Sequence, residues 1–359
     1  MKPPYRIPSM AEIAQVPWNG MRVASMFSGC GGSSLGYRMA GFKVVYANEF
    51  VEAARETYQA NTSGDTILDD RDIRTVTGSS ILTAVGLGVG QLDVLDGSPP
   101  CASFSTAGKR HKEWGKVKMY SDTQQRTDDL FFEFARVLQD IQPKAFVAEN
   151  VSGLIRGRAK GYFLMILEAL RDCGYDVQAR LVNAVYLGVP QKRERLFFLG
   201  VRKDLQKGPA FPKPLPYTYA IKDAIPWIYD DSQNEFAVED MAYLQTTSPV
   251  YRAWNRIQGL GRFSQIKGTK SLWELRRPSP EQAVATIIAM GGNRGMASVT
   301  HPYIPRKFSI AETRRLCAFP DDFILTGNYQ RQYERLGRAV PPVMMKHIAT
   351  ATAGVLCSE

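Results

Sequence analysis

Apolar runs alternate with helical patterns along the first part of the chain. Short apolar runs at residues 22–27, 43–49, 92–100, 144–151 and 195–202 predict buried β-strands. Between several of these runs the apolar residues recur at the spacing of one helix face, which predicts helices. Strands that alternate with helices favour a parallel sheet covered on both faces. We therefore predict an α/β fold with a doubly wound, mostly parallel sheet.

The periodic pattern breaks off after residue 203. A proline-rich stretch at 207–219 cannot continue a helix or a strand, and residues 204–280 as a whole have no clear period. Helical patterns return after residue 280, and the last of them is interrupted by the sequence LGRAVPP at 336–342. We predict a first domain over 18–203, a smaller domain over 204–280, and a C-terminal part over 281–359 that returns to the first domain.

The charge balance points to a polyanionic partner. The chain has 45 lysines and arginines against 35 acidic residues, a formal charge of +10. Basic side chains that bind phosphates release condensed counterions, which favours nucleic acid as the partner. No apolar run reaches the roughly twenty residues of a membrane span, and the stretch MKPPYRIPSM at 1–10 lacks the apolar core of a signal peptide. We expect a cytoplasmic protein that makes no membrane contact.

The spacing of the five cysteines indicates neither a disulfide framework nor a zinc site. They are widely spaced, odd in number and without CxxC pairs. Disulfide frameworks and zinc sites use paired, closely spaced cysteines. We therefore expect no disulfide framework and no metal site.

A glycine-rich turn follows the first predicted strand, in the sequence FSGCGGSSLG at 27–36. Glycines there let the backbone approach a ligand, and the start of the next helix presents free N–H groups. Glu49 ends the next strand and could accept from the hydroxyls of a ribose, and Asp72 follows the third apolar stretch and could accept from an adenine amino group. This order indicates an adenosine-containing cofactor. A purely structural turn is the alternative, because the GxGxxG spacing is absent.

A cysteine stands directly after two prolines in the sequence DGSPPCASFS at 96–105. Stiff backbone after a buried strand would hold Cys101 at the carboxyl end of the sheet, where open α/β folds bind ligands. The nearby Lys109 and Arg110 favour a thiolate. The alternative is a buried, inert cysteine.

Further polar side chains lie at two other strand ends. Glu149 closes the apolar run at 144–151 and is a candidate general acid or hydrogen-bond donor. Gln191, Arg193 and Arg195 occupy alternate positions, which predicts that they share one face and hold a base carbonyl, a phosphate or a carboxylate. An edge strand with outward-facing charges is the alternative.

In this order, the glycine turn, Glu49, Pro-Pro-Cys, Glu-Asn-Val and Gln-x-Arg-x-Arg resemble the motifs of the DNA cytosine-5 methyltransferase family. The resemblance continues in RRLCAFPDDF at 314–323 and in LGRAVPP, and covers the chain outside 204–280. It implies a class I, Rossmann-like methyltransferase fold, S-adenosyl-methionine as cofactor and double-stranded DNA as substrate. It also implies that 204–280 is the target-recognition domain. We further expect a monomer, encoded by a bacterium or phage, associated with the nucleoid and belonging to restriction-modification.

The resemblance also assigns catalytic roles. Cys101 would add to C6 of a cytosine flipped out of the duplex, and Glu149 would engage N3 and the exocyclic amine. Arg193 and Arg195 would orient the base and the loop that closes over it. The loop after Cys101 is long and basic and suits a lid. The predicted DNA contacts are Ser105, Lys109, Arg110 and Gln191.

For the cofactor pocket the resemblance points to residues at several strand ends and in the last motif. They are Phe27, Gly29, Gly31, Glu49, Phe50, Asp72, Pro100, Leu130, Arg338 and Val340. Two positions depart from the family pattern: Ser25 replaces a common acidic residue, and Ala102 replaces a common glutamine.

A third departure is more severe, because Arg338 stands where the family has a neutral asparagine. A guanidinium facing the sulfonium of the cofactor would oppose binding by about 1 to 4 kcal/mol. Three explanations stay open. Arg338 turns to solvent or a DNA phosphate, it pairs with an acidic neighbour such as Glu149, or it clamps the carboxylate of carboxy-S-adenosyl-methionine. The last would make the product 5-carboxymethylcytosine.

Three other classes of function compete with DNA cytosine transfer. A protein that only binds nucleic acid is disfavoured by the retained Cys101 and Glu149. The tRNA-modifying branch typically carries a Cys-Phe-Thr stretch, which is missing here. A cysteine hydrolase needs a histidine beside its nucleophile, and the sequence gives no histidine a plausible place beside Cys101.

Overall fold

The computed structural model describes residues 2–62, 64–100, 118–121, 123–125, 127, 129–156, 159–265 and 275–358. The chain forms two compact units. The first, which we call the sheet unit, comprises Ala14–Val182, Glu194–Lys213 and Met345–Glu359. The second unit comprises Met1–Ile13, Asn183–Arg193 and Pro214–Met344. The two units are defined by contacts within the fold, whereas the predicted domains were defined by their expected roles. Target recognition by 204–280 therefore stays a prediction.

The strands in chain order are β1 (Arg22–Met26), β2 (Lys43–Asn48), β3 (Ile67–Asp69), β4 (Val94–Gly97), β5 (Lys118–Tyr120), β6 (Thr123–Gln125), β7 (Ala145–Val151), β8 (Tyr175–Asn183), β9 (Gln191–Lys192), β10 (Glu194–Arg202), β11 (Gly261–Arg262), β12 (Arg276–Arg277) and β13 (Val284–Ala285).

The α-helices in chain order are α1 (Met10–Ala14), α2 (Gly32–Met39), α3 (Glu52–Ala60), α4 (Gly78–Val85), α5 (Leu130–Ile141), α6 (Ala159–Asp172), α7 (Ile221–Ala224), α8 (Pro249–Arg256), α9 (Ile310–Leu316), α10 (Tyr329–Arg338) and α11 (Pro342–Cys357). Within the described residues, none of these helices combines the length and the apolar character needed to cross a membrane.

The sheet unit is built on one seven-stranded sheet in the order β3-β2-β1-β4-β7-β10-β8. Strands β1 to β4 and β7 pair in parallel, and β10 runs antiparallel to β7. Strands β2 and β3 extend the sheet on one side of β1. The chain then returns to the centre, and β4 and the later strands extend the sheet on the other side. The gap between β1 and β4 is therefore the topological switch point, where such folds bind ligands. The predicted doubly wound α/β fold is confirmed.

The helices cover the sheet through apolar stripes. Helix α5 buries Phe134 and Leu138 completely, and Phe134 meets Phe146 of β7 edge to face with ring centroids 6.1 Å apart. Helix α6 buries Ile166 and Leu170 in the same core. This packing explains why the central strands are continuous apolar runs, since both of their faces are covered.

Two sequence expectations about this sheet need correction. The edge-strand alternative for the run around Arg195 is wrong, because β10 lies between β7 and β8. Strand β8, which closes the sheet at its edge, was not among the predicted strands. Most residues of β8 are partly or fully exposed, and such a strand lacks the apolar run that marks a buried one.

The second unit has short elements and its own apolar cluster. Trp254, Val250 and Ile257 of the α8 region pack with Phe263 and Leu275. The Arg277 guanidinium lies over the Trp254 ring, 3.9 Å from its centroid. Short elements joined by irregular segments account for the absence of a clear period in this part of the sequence.

Candidate active site

The glycine turn leaves β1 in a backbone conformation that few residues adopt. Phe27 has φ 54°, Gly29 has φ 57° and Gly31 has φ 90°. A non-glycine residue in the left-handed region is uncommon, and such residues cluster at ligand sites. Among the described residues, a Cβ built on Gly29 would meet no atom within 4 Å, whereas one on Gly31 would lie 3.0 Å from the Tyr58 ring. The turn is therefore packed on its inner side and open above Gly29.

Glu49 holds this turn from the end of β2. Its Oε2 accepts from the Gly29 N–H at 2.7 Å, and its Oε1 accepts from the Val51 N–H at 2.7 Å. The residue is buried. A carboxylate offers about four acceptor positions, so these two bonds are compatible with the predicted contact to a ribose diol. The open turn and the buried acid fit an adenosine-containing cofactor.

Three other predicted pocket residues, Phe50, Asp72 and Leu130, also belong to the sheet unit. Phe50 follows β2 and is 39% exposed, as suits a ring that stacks on a ligand. The Asp72 carboxylate accepts from Arg74, whose guanidinium also binds Asp129 at 2.8 Å. An adenine amino group would therefore share Asp72 with Arg74. Leu130 is buried at the start of α5.

The Pro-Pro turn after β4 is fastened to β7. The Asn150 amide donates to the Pro99 carbonyl at 3.2 Å, and Pro100 is partly exposed. Asn150 belongs to the Glu-Asn-Val motif but was not among the predicted site residues. Four predicted residues of the loop that follows lie outside the described residues. They are Cys101, Ser105, Lys109 and Arg110.

Glu149 and Arg195 form a nearly buried ion pair. Arg195 Nε lies 2.9 Å from Glu149 Oε1, and the two side chains are 14% and 11% exposed. Burial lowers the pKa of the Arg195 guanidinium, and the Glu149 carboxylate opposes this effect. The pair joins β10 to β7 at the end of the sheet that carries the Pro-Pro turn. This ion pair was not predicted from the sequence, and the catalytic roles of the two residues stay predictions.

Arg193 has a different place from the one predicted. Its guanidinium is buried in the second unit and donates to backbone carbonyls at 2.9 to 3.2 Å. The acceptors are the carbonyls of Ile287, Gly337, Arg338 and Ala339. A guanidinium at this place donates to carbonyls of the last turn of α10 that have no partner within the helix, and its charge complements the helix dipole. We therefore replace the predicted orientation of the base with a structural role for Arg193.

Gln191 needs a similar correction. Its side chain is completely buried, its amide donates to the Leu316 carbonyl at 3.2 Å, and its oxygen accepts from the Ile287 N–H at 3.1 Å. A side chain used in this way does not reach DNA. The alternating residues also divide between the two units, since Gln191 and Arg193 belong to the second unit and Arg195 to the sheet unit. Gln191 and Arg193 both bond to the backbone of Ile287, whereas Arg195 takes part in the ion pair described above, so the three side chains do not hold one common group as predicted.

We expect Arg193→Met to destabilise the second unit by about 3 kcal/mol, because it leaves buried carbonyls without donors. Urea unfolding of the full chain measures this loss. Lys192→Met, at the exposed neighbouring position, is the matched control and should change stability little. An unchanged unfolding midpoint in Arg193→Met, with a lower rate of catalysis, would return Arg193 to the catalytic group.

Arg338 ends helix α10 and pairs within it. Its Nε donates to Glu334 Oε1 at 2.7 Å, one helical turn earlier. Burial alone would raise the pKa of Glu334, but Arg338 and Arg335 lower it below its ordinary value. The acidic partner is thus Glu334, whereas Glu149 pairs with Arg195. The sequence signal for Glu334 was its i,i+4 spacing from Arg338.

The neighbours of Arg338 in LGRAVPP are tightly packed. A Cβ on Gly337 would lie 2.7 Å from the backbone of Ala289, so no larger residue fits there. Val340 is buried as well. This stretch is therefore a fixed part of the second unit and not a loosely held loop end.

One group of described residues has the composition of a metal site. Ligand atoms of Asp231, His301 and Glu312 lie within 4.8 Å of one another. Arg306 already bridges both carboxylates, at 2.9 Å from Asp231 and 2.7 Å from Glu312. His301 Nδ1 accepts from two backbone N–H groups, which places the ring proton on Nε2 and leaves no lone pair for a metal. The group is an ion-pair network.

Comparisons with known proteins agree with this architecture. The family model described as C-5 cytosine-specific DNA methylase matches residues 21–353. The Type II methyltransferase M.NgoPII of Neisseria gonorrhoeae is 31% identical over 95% of this chain and 98% of its own length. The Type II methyltransferase M.FnuDI of Fusobacterium nucleatum is 30% identical over 89% of this chain and 91% of its own length.

Solved structures share the fold at lower identity. A candidate DNA modification methyltransferase encoded within an Escherichia coli prophage has a TM-score of 0.70 at 22% identity, over 94% of this chain and 100% of that chain. A DNMT2 variant of Spodoptera frugiperda has a TM-score of 0.65 at 16% identity, over 93% of this chain and 99% of that chain. These likenesses concern the fold.

Proposed function

The chain belongs to the C-5 cytosine-specific DNA methylase family, and from this premise we propose that it transfers a methyl group from S-adenosyl-methionine to C5 of cytosine in double-stranded DNA. The observation that carries the proposal is the buried Glu149–Arg195 pair at the end of the sheet where the Pro-Pro turn leads into Cys101. An acid held by an arginine, on a sheet edge that the chain leaves through Pro-Pro into a cysteine, suits the activation of a pyrimidine by a thiolate.

Cys101 supplies the nucleophile in this proposal. C5 of cytosine is a weak nucleophile within an aromatic ring. When the Cys101 thiolate forms a bond to C6, the ring becomes an enamine and electron density rises at C5. After C5 has been methylated, a base removes the C5 proton. The C6–S bond then breaks and regenerates the thiolate.

Glu149 and Arg195 act on the other edge of the base. Glu149 would engage N3 and the exocyclic amine and stabilise the charge that develops as the thiolate adds. Arg195, which pairs with Glu149 at 2.9 Å, holds that carboxylate in one orientation. The pair spans β7 and β10, which are joined across seven register positions and form a rigid support.

The residues proposed to bind the cofactor lie mainly in the glycine turn and near strand ends. Gly29, Gly31, Glu49, Phe27 and Phe50 would hold the adenosine and methionine parts. Asp72, Pro100 and Leu130 would complete the set in the sheet unit, and the family pattern adds Arg338 and Val340. S-adenosyl-methionine supplies an electrophilic methyl group when it is bound. The protein supplies the backbone cradle above Gly29 and the acidic anchor, Glu49.

DNA is the proposed substrate, with sequence recognition by residues 204–280. The formal charge of +10 favours the phosphate backbone. A stacked cytosine cannot reach a thiolate, so the base is flipped out, at a cost of about a few kcal/mol. Ser105, Lys109 and Arg110 would contact DNA from the loop after Cys101. We further propose a cytoplasmic, monomeric enzyme of a restriction-modification system.

Transfer of tritiated methyl groups from S-adenosyl-methionine to DNA tests the proposal. Unmethylated genomic DNA should accept label until its sites are filled, and a second addition of enzyme should add none. tRNA is the control substrate for the RNA-modifying alternative. Label in tRNA but not in DNA would contradict the proposal, and so would label in neither.

A second candidate function rests on Arg338. An arginine in place of the family's asparagine could clamp the carboxylate of carboxy-S-adenosyl-methionine and make the product 5-carboxymethylcytosine. The pairing of Arg338 with Glu334 favours methyl transfer instead, because the guanidinium already has a carboxylate partner within its own helix.

We expect Arg338→Asn to keep methyl transfer and to change the Kd of S-adenosyl-methionine by less than about threefold. Calorimetric titration of the wild type and the variant with each cofactor measures this. The wild type should bind S-adenosyl-methionine more tightly than the carboxy form. Preference of the wild type for the carboxy form, reversed in Arg338→Asn, would establish the clamp and contradict methyl transfer.

A further inference from the structure

A second carboxylate is buried beside the candidate site, at the end of β4. Asp96 is 1% exposed, and its Oδ2 accepts from the Ser25 hydroxyl at 2.9 Å and from the Ser33 hydroxyl at 2.7 Å. Ser25 lies on β1, and Ser33 is the second residue of α2, just after the glycine turn. One carboxylate thus ties both strands of the switch point to the helix that follows the turn.

Asp96 shares a face of the sheet with the catalytic acid. Asp96 lies opposite Ser25 on one neighbouring strand and opposite Val147 on the other. Val147 and Glu149 are two residues apart on β7, and side chains of a strand alternate between faces. Asp96 and Glu149 therefore project from the same face, on adjacent strands.

The sequence departure at position 25 now has a structural counterpart. Ser25 stands where the family pattern has an acidic residue, and its register partner across β1 and β4 is Asp96. We propose that Asp96 is a positioning residue for methyl transfer: from β4 it supplies the carboxylate missing at position 25 and holds the glycine turn in place through Ser33. This inference rests on the proposed function, since it assigns the turn to the cofactor.

The surroundings of Asp96 set its protonation. Burial raises the pKa of Asp96 to about 7, the hydroxyls of Ser33 and Ser25 oppose this, and the Glu149 carboxylate adds to it. Tyr37 of α2 faces the carboxylate, and its hydroxyl lowers the pKa of Asp96 as the two serine hydroxyls do. Asp96 therefore changes its charge near neutral pH. The ionised form makes the stronger bonds to the serine hydroxyls, because charge-assisted hydrogen bonds are the stronger kind.

Two effects of opposite sign follow for the neutral variant Asp96→Asn. The native state holds a proton on Asp96 that the unfolded chain releases, so this stabilising contribution is present at low pH and lost as pH rises through about 7. The free energy of unfolding of the wild type should therefore decrease between pH 5.5 and pH 8, and that of Asp96→Asn, which lacks this proton, should increase relative to it over the same range. Its affinity for S-adenosyl-methionine at pH 8 should nevertheless fall by about tenfold, because the tie to Ser33 is weaker.

The pH profile of cofactor binding separates positioning from simple packing. In the wild type, the Kd of S-adenosyl-methionine should rise as pH falls below about 7, whereas in Asp96→Asn it should not change over this range. Asp93→Asn is the matched control, because Asp93 is a buried acid just before the same strand, bound to Lys144 at 2.7 Å and to the Arg22 N–H at 2.8 Å. It should lower stability and leave the pH profile of binding unchanged.

Exchanging the two partners is the sharpest test. Asp96→Ser alone should weaken binding by about tenfold or more, and Ser25→Asp alone should do the same by placing two carboxylates side by side. The double variant Ser25→Asp/Asp96→Ser restores one carboxylate at the same pair and should recover binding to within about threefold of the wild type. A double variant that binds no better than the weaker single variant would overturn the proposal.

Calorimetric titration with S-adenosyl-methionine, together with thermal unfolding without it, reports all of these outcomes. A wild type that binds the cofactor alongside an Asp96→Asn variant with the same Kd and the same pH profile overturns the role of Asp96 alone. A wild type that does not bind the cofactor at any pH overturns the proposed function and this inference together.

Discussion

Replacement of Cys101 by serine is expected to abolish methyl transfer, with a loss of at least about a thousandfold. A serine hydroxyl has a far higher pKa than a thiol, so the alkoxide needed for addition to C6 is not formed near neutral pH. Single-turnover transfer of labelled methyl groups to DNA measures the loss. Cys357→Ser, at an exposed cysteine near the end of α11, is the matched control and should keep the wild-type rate.

DNA containing 5-fluorocytosine separates a covalent mechanism from simple binding. The fluorine on C5 cannot leave as a proton does, so the Cys101 adduct should persist and survive denaturation. The wild type and Cys357→Ser should form this adduct, and Cys101→Ser should not. A Cys101→Ser variant that retains its rate to within tenfold, or a wild type that forms no adduct, would contradict the assignment of the nucleophile.

Replacement of Glu149 by glutamine is expected to lower the rate by about a hundredfold to ten-thousandfold. The carboxyl group is lost from the position that would stabilise the base as the thiolate adds. The same change leaves the Arg195 guanidinium, 14% exposed, without its ionic partner. Breaking a buried pair in this way costs about 3 to 5 kcal/mol. Stability and chemistry must therefore be separated.

The double variant Glu149→Gln/Arg195→Gln separates them. It removes both charges, so much of the lost stability should return, whereas the rate should stay low. Glu194→Gln is the control, because that glutamate is only partly buried and its pair with Arg156 is loose, at 3.6 Å. Urea unfolding and single-turnover rates are measured on all four proteins, including the wild type. A double variant whose rate recovers with its stability would show that Glu149 acts through folding only.

The sheet could be predicted from the sequence because its central strands are buried on both faces. Such strands are continuous apolar runs, as in β4 and β7, and they are bounded by glycine or polar turns. Strand β8 was missed for the opposite reason, since an edge strand with one open side carries polar residues. Patterns of burial are visible in a sequence only where burial is nearly complete.

The candidate site was predictable in its motifs and less so in its contacts. Alternation of Gln191, Arg193 and Arg195 predicted a shared face, but carbonyls from distant parts of the chain cover the first two. No local pattern contains that information. The partnership of Ser25 and Asp96 was missed in the same way, because it becomes visible only when β1 and β4 are placed side by side.

The identity of the modified base tests the central claim most directly. DNA is incubated with the purified wild-type protein and either S-adenosyl-methionine or its carboxy form, digested to nucleosides and measured by mass spectrometry. Methyl transfer to C5 predicts 5-methylcytosine with S-adenosyl-methionine and no new nucleoside with the carboxy form. Formation of 5-carboxymethylcytosine in place of 5-methylcytosine, or unmodified cytosine with both cofactors, would contradict it.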